Sequence, residues 1–149
     1  MEGIFNLARI FYKWVIDTNE YQNDVNTWET YLDISQGAGG LSYLFLTLVV
    51  ISLVTAVIFY YGIAKNVSAA TKKNYVVVCL MGLVTLLVFN FVVAFVGCEW
   101  SSCLSSWNMW KICLVDILYY FILFEIWSLL IKGKSNAETI DWISILFGK

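Results

Sequence analysis

Two carboxylates, Asp116 and Glu125, sit inside the apolar stretch KICLVDILYYFILFEIWSLLI at residues 111–131. An ionisable side chain in a hydrocarbon-destined segment is costly, so it marks either a helix contact or a polar pathway. Nine residues separate the two, which on a helix places them on opposite faces and roughly 13 Å apart along the axis. Paired-carboxylate hydrolysis and a shared metal site are therefore disfavoured within this helix, although carboxylates of neighbouring subunits could still meet. Asp116 shares its face with Cys113, Tyr119, Tyr120 and Leu123, and the tyrosine hydroxyls are the donors expected to reach it. Glu125 shares its face with Phe121, Ile122, Ser128 and Leu129, and Lys132 follows seven residues on. A snorkelling or water-bridged pair with Lys132 is the expectation there.

Insertion energetics make this segment dependent on neighbours. Two central carboxylates cost about 5 to 7 kcal/mol, whereas the Leu, Ile, Phe and Val residues return on the order of 4 to 8 kcal/mol. Thirteen such residues lie from Lys111 through Ile131, so the helix is near balance alone. Its carboxylates can be satisfied between helices by Asn90, Thr85, Thr55 or Ser52, serving helix association. The alternative is that one of them faces a hydrated route for ions or protons.

Other chemistry has few tools. The chain has no His, removing the commonest general base and metal ligand. The glycine run GAGG at 37–40 has neither a preceding strand nor a following Lys, so it is not a phosphate loop. No catalytic residue, cofactor site or metal site is assigned, and the chain is expected not to be an enzyme. Of the four cysteines, Cys79 and Cys113 fall in apolar stretches. Cys98 and Cys103, with four residues between them, could close a disulfide in an oxidising compartment. A zinc site would need further ligands that the sequence lacks.

These residues must be positioned by membrane helices. Of 149 residues, 60% are hydrophobic and 13% charged, and the apolar residues come in three long runs. The expected fold is an all-α integral membrane protein forming one membrane domain, 1–149. Its three transmembrane helices are expected at 41–64, 75–97 and 111–131, the second carrying Asn90. The absence of Pro predicts no proline kink in any of them.

The flanks are amphipathic. Ile4, Leu7, Ala8, Phe11, Trp14 and Val15 share one helical face of residues 1–16, with Asn6, Arg9 and Lys13 on the other. Too short to span and lacking a small-residue cleavage site, this segment is expected to lie in the interface or to pack on a partner subunit. Residues 17–40 form an acidic polar segment and a Gly hinge, and 98–110 an outer loop. At 135–148, Ser135 with Glu138 three residues later reads as a capping box opening a short interfacial helix, the alternative being a frayed end.

Six lysines, Lys65, Lys72, Lys73, Lys132, Lys134 and Lys149, fall to one side of the three spans, against Arg9 and Lys13 on the other. The positive-inside rule then puts the amino terminus outside and the carboxyl terminus in the cytoplasm, with a bacterial inner membrane favoured. A net charge of −2 with scattered cations argues against nucleic acid. The expected partners are the lipid bilayer and either further copies of the chain or other membrane subunits. The leading functional expectation is a non-enzymatic multi-pass subunit of a larger membrane complex, such as a secretion, envelope or energy-coupling assembly. The alternative is a small homo-oligomeric pore, holin-like or a membrane-disrupting defence effector, with the third span lining an ion or proton path. Asp116, Glu125, Asn90, Tyr119 and Tyr120 are the candidate intramembrane polar residues for either.

Overall fold

The computed structural model describes residues 7, 10–12, 39–97 and 107–147, and among these every regular element is helical. Helix α1, Gly39–Val57, continues into a π-helix, Ile58–Ile63, followed by a short 3-10 turn, Val67–Ala69. Helix α2 is Lys72–Gly97 and α3 is Trp107–Ile131. A 3-10 turn at Lys132–Lys134 leads to the short α4, Trp142–Phe147. Residues 7 and 10–12 are also helical.

Three segments are long and apolar enough to cross a membrane: Tyr43–Ile63, Lys72–Val92 and Trp110–Ile131. Helices suit such sequences because they satisfy every backbone N–H and C=O within one segment, leaving a lipid-compatible exterior. Helix α2 starts three residues before the expected 75. The Thr71 hydroxyl accepts the Asn74 N–H at 3.2 Å, an N-cap that draws polar residues into the first turn. Within the first span the ladder changes character, with Ala64 N–H donating to the Phe59 carbonyl at 2.7 Å. That i to i+5 bond is the signature of a π turn.

The chain packs as two compact units, Met1–Leu48 with Leu87–Ile117, and Val49–Leu86 with Leu118–Lys149. In the first, Tyr12, Leu44, Leu48, Ile112 and the polar Asn90 and Asp116 are buried. The Phe11 ring packs 5.0 Å from Phe45, centroid to centroid. Of the described amino-terminal residues, Leu7 and Ile10 are exposed while Tyr12 is buried.

The second unit is organised around aromatic rings. Phe59 stands edge-on to Tyr60 at 4.9 Å and to Tyr75 at 5.0 Å, and Tyr75 lies 5.2 Å from Phe124. Quadrupole preferences favour such tilted and edge-to-face pairs over flat stacking. Helices approach closely at Gly82. A Cβ there would stand 2.7 Å from Thr55 Cγ2 and would strike the Tyr120 and Thr55 hydroxyls.

The carboxyl-terminal helix differs from expectation. It begins at Trp142, not at Ser135, because the Ser135 hydroxyl donates back to the Lys132 carbonyl at 3.0 Å and accepts the Ala137 N–H at 3.2 Å. The capping box forms six residues later, from Asp141 and Ser144. Ser144 N–H donates to Asp141 Oδ1 at 2.6 Å, and Asp141 N–H donates to Ser144 Oγ at 3.0 Å. This reciprocal arrangement satisfies two otherwise unpaired N–H groups. Most of the expected amino-terminal helix, the acidic segment through residue 38, and the loop containing Cys98 and Cys103 lie outside the described residues.

Candidate functional site

The two carboxylates of α3 are both occupied by donors from the chain itself. In the first unit, Asp116 is fully buried. The Tyr12 hydroxyl donates to its Oδ1, and Asn90 Nδ2 donates to its Oδ2 at 2.6 Å. Each oxygen thus has one donor, filling two of a carboxylate's roughly four acceptor sites. Asn90 is itself buried, and its Oδ1 accepts no hydrogen bond among the described residues. Burial of the Asp116 oxygens is tolerated because they are hydrogen-bonded, since a buried acceptor left without a donor costs about 1 to 3 kcal/mol. Cys113, one turn earlier, is a buried free thiol.

Glu125, in the second unit, is half-buried and held differently. Its Oε2 accepts the Tyr75 hydroxyl at 3.2 Å and the Trp142 N–H at 3.0 Å, while Oε1 accepts the Ile143 N–H at 3.4 Å. The carboxylate thus closes the first turn of α4, where free N–H groups and the helix dipole favour negative charge. Tyr75 also lies 3.2 Å from Ser128 Oγ. Further bonds fix the same segment. Tyr60 donates its hydroxyl to the Ile140 carbonyl, and Lys72 Nζ donates to the Ser144 carbonyl at 3.3 Å.

Among the described residues Lys132 makes no direct ion pair with Glu125. Its ammonium forms an ion pair with Asp141, nine residues along the chain, where the turn after α3 brings them together. Burial would raise the Asp141 carboxyl, but hydrogen bonds from Lys132 and from the Ser144 N–H outweigh it and hold the group below the usual carboxylate range. Asp141 is therefore charged where it caps α4.

The remaining candidates are dispersed. Tyr120 donates to the Cys79 carbonyl at 2.9 Å, and Tyr119 is half-buried. The donors seen on Asp116 are instead Tyr12 and Asn90. Ser52 accepts the Trp127 indole N–H at 3.2 Å, while Thr55 and Thr85 bond back to their own helices at Ile51 and Met81. Among the described residues no three of His, Cys, Asp or Glu gather closely enough to hold a metal ion.

No known family model matches the chain, and neither a curated protein nor a solved structure matches it. Its function is therefore read from the geometry of its own polar groups.

Three contributors escaped the sequence reading. Tyr12 belongs to neither face singled out in the amino-terminal segment, and only a search for a hydroxyl to meet Asp116 would have raised it. Tyr75 opens the second apolar run, where it reads as an interface aromatic. Asp141 lies off any helical spacing from Lys132 because a chain reversal intervenes. Both carboxylates are placed to fasten segments of the chain, and each is occupied by donors that do so.

Proposed function

We propose that this chain is a non-enzymatic, multi-pass membrane protein that serves as a subunit of a larger membrane assembly. The observation that carries the reading is the contrast between occupied polar groups and open apolar faces. Only 39%, 28% and 28% of an 18-residue apolar stretch in each of the three candidate spans is buried within the chain. Large apolar residues such as Val54, Val84, Val88, Leu114, Leu118 and Leu130 are exposed, surface that lipid or other helices would cover. Meanwhile the carboxylates that a pore would offer to water are engaged internally, Asp116 by Tyr12 and Asn90. This favours the subunit reading over a self-assembled pore lined by α3.

Extraction in mild detergent followed by mass measurement of the particle tests it. Co-purifying membrane proteins in fixed ratio support a subunit role. A closed ring of this chain alone, with loss of membrane potential on expression that Asp116→Asn relieves, would replace it with the pore.

A further inference from the structure

In the second unit, a pocket of about 300 Å³ opens between the end of the π-helix and the turn after α3, lined by Tyr60, Tyr61, Lys65, Ser135 and Asn136. We propose that this pocket binds the phosphate of an anionic phospholipid headgroup, with Lys65, the Asn136 amide and the Tyr61 hydroxyl as donors. The inference rests on the three spans crossing a bilayer.

The walls are tied together and leave donors to spare. One N–H of the Asn136 amide donates to the Lys65 carbonyl at 2.7 Å, which leaves its second N–H for a ligand. Ser135 is fixed by its bonds to Lys132 and Ala137 and shapes the wall without contributing its proton. Tyr61 is half exposed, and its neighbour Tyr60 is turned inward to the Ile140 carbonyl. The two tyrosines diverge on the π turn, a local distortion frequent at functional sites.

Charge and depth point to a headgroup. No carboxylate lines the pocket among the described residues. Lys132 is matched by Asp141 and Lys72 is engaged at Ser144, whereas the Lys65 ammonium has no carboxylate partner among the described residues. Lys65 stands two residues beyond Ile63, where the first candidate span ends, and Ser135 four beyond Ile131, where the third ends. That is the level of lipid phosphates, where tyrosines concentrate and where basic pockets between spans hold anionic headgroups.

The test uses the full chain in mild detergent, titrated with phosphatidylglycerol or phosphatidylcholine of identical acyl chains and read as retained lipid by native mass spectrometry. The expected result is one retained phosphatidylglycerol, preferred about fivefold per engaged lysine. Lys65→Gln should abolish the preference, Lys65→Arg should keep it, and Lys73→Gln, at an exposed position outside the pocket, should leave it unchanged. Equal retention of both lipids overturns the proposal, as does an equal loss from Lys73→Gln, which would mean a diffuse field. Inorganic phosphate is titrated in a parallel arm without anionic lipid. Binding there that Lys65→Gln removes would make free phosphate the ligand and overturn the lipid assignment. Alkaline extraction of membranes separates the two readings: release of the chain removes the membrane reading itself, while retention without lipid preference removes only this site.

Discussion

Asp116 and Glu125 share a helix, yet one is sealed and the other is attached to the backbone of a short tail. Asp116 is held by two side chains, Tyr12 and Asn90, that come from elements distant in sequence. Glu125 is held by one side chain and by the N–H groups that open α4. The difference separates two ways of making a carboxylate tolerable in an apolar helix. The first needs dedicated polar partners and commits them to burial. The second borrows donors that a helix terminus must satisfy anyway, so its loss is felt locally.

The largest effect should come from Asp116→Ala. It removes the Tyr12 hydroxyl's bond to Oδ1 and strands the Asn90 amide N–H in a buried site, at a cost of about 3 kcal/mol. Unfolding of the detergent-solubilised protein by added ionic detergent should show it, and a loss below about 0.5 kcal/mol would break the comparison. Next comes Gly82→Val, which alters neither carboxylate and overpacks the contact with Thr55 and Tyr120, costing about 1 to 3 kcal/mol in the same assay. The amides of Trp142 and Ile143 should keep their exchange protection relative to the rest of the chain. If they lost it selectively, the packing at Gly82 and the Glu125 anchor would be one device.

Glu125→Ala should be smaller and local. About 1 kcal/mol of tail attachment is lost, seen as faster hydrogen exchange at the Trp142 and Ile143 amides with little change in global unfolding. A global shift as large as that of Asp116→Ala would erase the contrast. The smallest effect is a pH dependence at Asp141. Because its carboxyl lies below the ordinary value in the folded chain, the stability it adds is fully present above about pH 3.9, and is lost as pH falls further through the folded value. Protection of the tail amides, taken relative to their intrinsic exchange rate, should fall in that acid range, and in Asp141→Asn it should be indifferent to pH there.

The sequence made the three long apolar helices legible because long apolar runs have few alternative fates; all three appear, long and apolar enough to cross a membrane, with ends displaced by only a few residues. It also marked Asp116, Glu125 and Asn90, since polar residues in such runs are conspicuous. What it hid were partners whose proximity depends on chain reversal. Tyr12 and Asp116 are 104 residues apart, and no periodicity links them. The capping box shows a subtler failure. Ser135 with Glu138 and Asp141 with Ser144 both fit a three-residue cap pattern, and the earlier Ser bonded backwards to Lys132 instead. Local patterns of this kind compete, and tertiary anchors such as Lys132 and Glu125 decide between them.

The π-helix at Ile58–Ile63 gives the first span an uneven phase. It acts as a one-residue insertion in an otherwise α-helical thread, and each residue of offset turns the downstream chain by about 100°. The wider turn absorbs that residue, so forcing the ordinary i to i+4 ladder through the same residues at unchanged length would rotate Lys65 and its neighbours to a different azimuth. Tyr60 would then no longer be in phase with the Ile140 carbonyl. The helix therefore carries a fixed turn as well as a composition: apolar residues can be exchanged along it, but the π turn cannot be tightened to an α turn at this length without re-aiming the end of the helix.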